Sequence, residues 1–315
     1  VGGRARARKV IRDIILKNLK GGIKIMTHEP VMLNEVLQFI NDYPHTRILD
    51  GTLGLGGYSE AFLKNFPDAF VLGLDRDTQA INFSTERLKI FGERFATHHA
   101  NFSELASIPE ADLFNVYVFD LGVSNMQLTT PERGFSFQND GPLDMRMNPN
   151  DSLTAREVLQ RCDEKTLAKI FWDYGEEKFS RQIAAAIKKS HKPLLTTSDL
   201  VNLIRETLPQ PVQRKMGTHP ARRVFQALRI YINNETQELE NLLNALGKFN
   251  HECLIIFVSY HSIEDRLVKN FFREWRTNEH GKILTRHPLI PTENEITRNY
   301  KARSAKLRAF FTTRH

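Results

Sequence analysis

The sequence predicts an α/β chain built on a Rossmann-like parallel sheet, with a mainly helical domain inserted late in it. Three observations carry that expectation. A short apolar run, Ile48-Leu49-Asp50, enters a glycine-rich turn, Gly51-Thr52-Leu53-Gly54-Leu55-Gly56-Gly57, and leaves it in a helical pattern. Twenty-five residues after Asp50, a second apolar run ends in an isolated acid, Asp75. Strand and helix signals then alternate as far as Asp120, but the next buried strand begins only at Cys253, where a βαβ crossover needs just about 30 residues.

The elements follow in order. Tyr58 to Phe66 reads as the helix that the glycine turn opens, and Phe70-Val71-Leu72-Gly73-Leu74 as a strand buried on both faces. Thr78 to Phe91 is helical, Phe95 to Ala100 a short strand, Ser103 to Leu113 a mixed connector, and Val116-Tyr117-Val118-Phe119 a strand ending in Asp120. Residues 125 to 150 carry turn signals, Asn139-Asp140-Gly141-Pro142 and Asn148-Pro149-Asn150. Ser152 can cap a helix running to Cys162, followed by helices over Glu164 to Tyr174, Glu177 to Ser190 and Ser198 to Leu208, with Pro209 and Pro211 closing the unit. One long amphipathic helix is expected from Arg222 to Leu246, then the strand Cys253 to Ser259. A helix from Ile263 to Trp275 comes next, its start marked by the capping pair Ser262 and Asp265. Strand-like runs near Ile283-Leu284 and from Leu307 to Thr312 end the pattern. The domains predicted are a basic N-terminal extension over 1–25, a sheet core over 26–124 and 220–315, and the inserted helical domain over 125–219.

A chain of 315 residues, 41% hydrophobic and 26% charged, suffices for one large or two modest domains. Its net charge of +7 resembles a nucleic-acid signature, but residues 1 to 25 hold eight basic groups against Asp13, which accounts for the whole excess. The remaining 36 basic and 36 acidic groups balance, so any nucleic-acid site in the body is a local patch. The extension precedes Met26 and reads as an upstream extension or a solvated basic arm, in preference to an RNA-touching arm or an organelle-targeting segment. No apolar run approaches the roughly 20 residues of a membrane span. Cys162 and Cys253 show no C-x-x-C spacing. A reduced, cytoplasmic setting and no metal are expected.

Ligands of open α/β sheets bind beyond the carboxyl ends of the strands, where this chain offers Asp50, Asp75, Asp120 with Leu121-Gly122-Val123-Ser124, and Ser259-Tyr260-His261-Ser262. An acid ending the second strand can accept both hydroxyls of a ribose, which assigns that role to Asp75. The dinucleotide pattern G-x-G-x-x-G is imperfect here, because Ser59 stands where its last glycine belongs. Asp50, just before the glycines, would repel a pyrophosphate but accept the ammonium of an amino acid. S-adenosylmethionine is therefore favoured over NAD, with Gly54, Gly56 and Gly57 approaching it by backbone. Methyl transfer from a sulfonium is chiefly a matter of positioning. Acceptors on the N–H groups of an exocyclic amine, such as Asp120 and the Leu121 carbonyl, would localise its lone pair. The Asp/Asn-Pro-Pro-aromatic signature of many amino-methyltransferases is absent.

A resemblance goes further. The segments His28 to Leu33, Asp50 to Gly57, Asp75-Arg76-Asp77, Asp120 to Ser124, Glu132 to Phe137, Asp140 to Met147, Tyr174 to Glu177, Phe225 to Ile230, His261 to Arg266 and Arg303 to Arg308 resemble the bacterial small-subunit ribosomal RNA cytosine-N4 methyltransferase family, RsmH, also called MraW. The resemblance covers residues 26 to 312. It implies an S-adenosylmethionine-dependent enzyme that methylates the exocyclic N4 of a cytosine in the decoding region of small-subunit (16S) RNA, with the assembled or nearly assembled subunit as partner. It places cofactor contacts on Gly56, Gly57, Tyr58 through its backbone, Asp75, Phe102 against the adenine, Asp120 and Gln127. The family usually has His at Tyr58, Ser at Asn125, Phe at Tyr260 and Pro at Tyr300.

The catalytic residues expected are Asp120, Ser124 and His261, the proton from the amine passing to solvent or to His261. Pocket function and structural hydrogen bonding are equally open for His261, and helix capping is the better reading of Ser262. The RNA contacts expected are Arg133, Arg146, Arg214, Lys215, Arg222, Arg223, Arg303 and Lys306, as a phosphate-tracking rim into which the target base is splayed from its stack. A homodimer is left open. The competing readings are an NAD-dependent oxidoreductase, disfavoured by Ser59 and Asp50, and a non-catalytic RNA-binding factor, disfavoured by the intact strand-end acids.

Overall fold

A computed structural model describes residues 30–313; the basic extension 1–25, Met26 and the start of the first resembling segment, His28 and Glu29, lie outside the described residues. Seven strands form one sheet in the order β3-β2-β1-β4-β5-β7-β6. They are β1 (Arg47–Asp50), β2 (Phe70–Asp75), β3 (Phe95–His99), β4 (Val116–Asp120), β5 (Leu254–Ser259), β6 (Gly281–Ile283) and β7 (Lys306–Thr312). The first five run parallel, while β7 is antiparallel to both β5 and β6. The order reverses between β1 and β4, which places the switch point, and the crevice it opens, beside Asp50 and Asp120.

Alternate side chains of each parallel strand enter two cores, as period-two geometry requires. Ile48, Val116, Val118 and Ile256 pack with α1 (Leu33–Asn41) and α2 (Gly57–Asn65) on one face. On the other face Leu49, Tyr117, Phe119 and Ile255 pack with α11 (Glu235–Leu246) and α12 (Ser262–Thr277).

The insertion contains α4 (Asn125–Thr129), α5 (Ala155–Arg161), α6 (Glu164–Gly175), α7 (Ser180–Lys189), α8 (Thr197–Thr207) and α9 (Gln210–Lys215), and α10 (Arg222–Ile232) follows. It has its own apolar core, in which Phe171, Ile183, Leu200 and Ile204 meet Val224, Phe225 and Leu228 of α10. Packing therefore assigns α10 to the insertion, beyond the boundary expected at 219/220.

Local chemistry corrects several boundaries. Thr154, not Ser152, caps α5, in a reciprocal capping box with Glu157. Thr196 caps α8 in the same way with Asp199. Pro209 and Pro211 begin α9 instead of ending the unit, since proline is tolerated in a first helical turn. The single helix expected from Arg222 to Leu246 breaks at Asn233 and Asn234, the latter left-handed at φ 50°. Asn233, 1% exposed, donates from Nδ2 to the Met145 and Arg229 carbonyls at 2.8 Å each and accepts the Met147 N–H at 2.7 Å. Asparagine thus ties the Asp140–Met147 segment to the point where the chain turns back to the sheet.

Candidate active site

The glycine turn is shaped by sterics at its ends. A Cβ on Gly51 would lie 2.2 Å from the Phe119 ring, and Gly56, which precedes α2, is left-handed at φ +75°. Beneath the turn Asp50 is 1% exposed; Ser59 donates to its Oδ2 at 2.7 Å and the Thr52 N–H to its Oδ1 at 3.3 Å. Ser59, where a dinucleotide fingerprint has glycine, is thus the partner that satisfies this buried acid. Asp50 organises the turn from below.

Asp75 ends β2 above the same turn and is half-buried; its Oδ2 accepts the Gly54 N–H and its Oδ1 the Asp77 N–H, each at 2.8 Å. Each oxygen keeps a second lone pair. Tyr58 buries its ring and donates its hydroxyl to the Val31 carbonyl, so only its backbone faces the turn. Phe102 is half-buried just past the end of β3, edge-on to Phe119 at 6.3 Å. A ribose over Asp75 and a flat base beside Phe102 fit this arrangement.

Asp120 ends β4 with its N–H donated to Thr52 Oγ1 at 2.7 Å, joining it to the glycine turn. Its Oδ1 accepts the Tyr260 hydroxyl at 2.6 Å. Burial pushes the Asp120 carboxyl up to about 7, opposed by the Tyr260 hydrogen bond and reinforced by the charges of Asp50 and Glu264. Burial is likewise the leading cause that raises Asp50 and Asp75 to about 6 each. Three acids of elevated pKa end three adjacent strands: Asp50 is buried and supports the glycine turn, while Asp75 and Asp120 are only half-buried and are the two placed to meet a ligand.

A cavity of about 170 Å³ opens between the sheet and the insertion, on the side of Asp120's partner Tyr260. Phe135, Arg222, Phe225, Arg229, Tyr260 and His261 contribute to its wall. Tyr260 therefore links this cavity to Asp120.

Several expected site residues have structural duties. Ser124 caps α4 in a reciprocal box with Gln127, whose Nε2 also donates to Asp77 at 3.3 Å. His261, not Ser262, caps α12: its Nδ1 accepts the Glu264 N–H at 3.4 Å. Its Nε2 lies 2.9 Å from Glu264 Oε1, within ion-pair range but off the hydrogen-bond direction. His261 thus has the structural hydrogen bond that the sequence allowed, and its ring also lines the cavity. Ser262 instead donates to Glu176 at 2.9 Å, bridging sheet and insertion. Glu235, His261 and Glu264 approach within 4.8 Å of one another. Arg229, however, forks onto both Glu235 oxygens at 2.8 Å, and its charge makes the group an ion-pair network.

The expected RNA rim divides in two. Arg133 is 11% exposed, pairs with Asp77 at 2.8 Å and donates to the Arg146 and Met147 carbonyls. Arg146 forks onto Asp144 at 2.8 and 2.6 Å, Arg223 donates to the Glu176 carbonyl, and Lys306 pairs with Asp265 at 3.1 Å. These four are engaged within the protein. Arg214, Lys215, Arg222 and Arg303 are exposed. Tyr260 stands out in the sequence only as a strand-end group that departs from the family's usual Phe, and Asp77 and Asn233 have no role there, because their partners Arg133 and Met145 are distant in the chain.

The family model described as the MraW methylase family matches residues 25–313. Three similar proteins carry the name Ribosomal RNA small subunit methyltransferase H. The one from Picosynechococcus sp. is 44% identical over 285 residues, covering 89% of this chain and 95% of the relative. That from Chlamydia caviae is 43% identical over 291 residues (91% and 98%), and that from Carboxydothermus hydrogenoformans 41% identical over 304 residues (90% and 97%).

Proposed function

The chain belongs to the MraW methylase family, and from that premise we propose that it methylates the exocyclic N4 of a cytosine in the decoding region of small-subunit ribosomal RNA, with S-adenosylmethionine as donor. The observation that carries the proposal is Asp120, an acid at the switch-point strand end, joined through Thr52 to the glycine turn and through Tyr260 to the aromatic cavity. One carboxylate is thus tied directly to a cofactor cradle and, through Tyr260, to a space for a base.

The cradle suits the cofactor: Asp75 can accept the ribose hydroxyls, Gly54, Gly56 and Gly57 admit it by backbone, and Phe102 offers a face to the adenine. When bound, the cofactor supplies an electrophilic methyl carbon. The target base enters the cavity against Phe135 and Phe225. Asp120 and the Leu121 carbonyl accept the two N–H groups of its amine and localise the nitrogen lone pair. They would aim that pair at the methyl carbon that a cofactor held by Asp75, the glycine turn and Phe102 would supply. The amine proton passes to the Asp120 carboxylate that already accepts its hydrogen bond, and then to solvent. Arg214, Lys215, Arg222 and Arg303 track the phosphates, and the substrate is the assembled or nearly assembled subunit. A soluble, cytoplasmic protein fits this reading; among the described residues no helix is long and apolar enough to cross a membrane.

Incubation with labelled S-adenosylmethionine and either free RNA or small subunits tests the proposal. Label should enter RNA in the subunits. Cofactor binding without transfer to either substrate would favour a non-catalytic RNA-binding factor.

A further inference from the structure

Tyr260 both lines the cavity and touches the strand-end acid. Its ring lines the cavity and packs over the turn after β4, where a Cβ on Gly122 would sit 3.7 Å from Tyr260 Cδ2. Its N–H donates to Glu264 Oε2 at 2.9 Å, which fixes the backbone, and its hydroxyl reaches Asp120 Oδ1 at 2.6 Å. That length is typical of a hydroxyl donating to an ionised carboxylate.

On the reading that Asp120 receives the target amine, we propose that Tyr260 is a positioning residue: its phenol fixes Asp120 Oδ1, favours the charged carboxylate and leaves Oδ2 as the acceptor for the amine.

The surroundings of Asp120 explain the need. Asp50 from β1 and Glu264 from α12 both disfavour its charge, and the Tyr58 hydroxyl from α2 lies close enough to feel it. Thr52 Oγ1 accepts the Asp120 N–H, so the bond it makes here is to the backbone and not to the carboxylate. Arg229, the cation beyond the Gly122 turn, is committed to Glu235. Burial adds to the same side, so a neutral Asp120 is within reach near neutrality. A protonated carboxyl would present a donor to the amine in place of an acceptor. The hydrogen bond from Tyr260 opposes that outcome.

The test is Tyr260→Phe in the full chain, which keeps the ring and removes the hydroxyl. The acid limb of the kcat profile should move up by about one pH unit, so turnover falls about tenfold at about pH 6 and recovers to within about twofold at about pH 9. KM for the RNA should stay within about twofold. Carboxyl-carbon NMR of the cofactor-free protein should show the Asp120 titration moving up by a similar amount, and in an Asp120→Asn background the Tyr260→Phe change should be silent. Superimposable NMR titrations and acid limbs in wild type and variant, or an equal loss of turnover in both backgrounds, would overturn the inference. Failure of the underlying reading looks different: wild-type protein would make no N4-methylcytidine, whatever the NMR titration does.

Discussion

Arg133 of the insertion and Asp77 at the start of α3 (Thr78–Leu88) form an ion pair at 2.8 Å, their side chains only 11% and 1% exposed. Asp77 also caps α3 and accepts from Gln127, while Arg133 clamps the carbonyls of Arg146 and Met147. Removing one partner of a buried pair leaves the other uncompensated. Arg133→Ala should therefore destabilise the protein by about 3–5 kcal/mol in chemical denaturation. RNA affinity of the folded fraction should change little. A stable variant with weakened RNA binding would return Arg133 to the rim.

Asp75→Ala should weaken S-adenosylmethionine binding by about 1.5–3 kcal/mol, since charge-assisted bonds to the ribose are lost from a half-buried site. The Gly54 and Asp77 N–H groups lose their acceptor too, so Asp75→Asn, which keeps an acceptor oxygen, should retain part of the affinity. Calorimetric titration of both variants checks this; unchanged affinity in the alanine variant would remove Asp75 from the cradle.

The raised carboxyls make a pH prediction. Asp50 and Asp75 at about 6 and Asp120 at about 7 all stand above the ordinary value of 3.8. The folded chain therefore holds protons at these sites that the unfolded chain has released, and stability falls as pH rises from about 4 to about 7. Asp120→Asn carries no charge to bury. It should be more stable than wild type by about 4 kcal/mol at about pH 8 and no different at about pH 4, while turnover falls about 100-fold or more. Denaturation curves at both pH values and one turnover assay decide it; a variant less stable at high pH would contradict the burial argument.

Replacing Arg214, Lys215, Arg222 and Arg303 together by Ala should lower the slope of log affinity for RNA against log salt by about 3. Arg146→Ala should leave that slope unchanged, because its fork is occupied by Asp144. Filter binding across a salt series separates the two groups.

The sheet and its cradle were legible because their signals are local: the Gly51–Gly57 turn, the apolar runs and Asp75 lie within one short stretch. The break at Asn233–Asn234 was not legible, since apolar periodicity continues through it and asparagine becomes a stop only once Met145 and Met147 supply its partners. At α12 the overlapping patterns Ser262-x-x-Asp265 and His261-x-x-Glu264 are offset by one residue, and tertiary contacts of Asp265 with Lys306 and Arg308 decide between them. Arg133 looked like a rim cation because Asp77 lies 56 residues away. The link from Tyr260 to Asp120 spans 140 residues, beyond any spacing rule.

The most direct test of the account is the identity of the methylated nucleoside formed on small subunits by wild-type protein and by the Cys162→Ser/Cys253→Ser variant. Ring-carbon methylation of cytosine would need a cysteine nucleophile. Cys253 is buried in β5's approach with its thiol pushed up to about 12, chiefly by burial, and Cys162 ends α5 in the insertion, so neither is placed to attack. The account predicts N4-methylcytidine from both proteins at similar rates. A C5-methylated product, or loss of turnover in a folded double variant, would contradict it.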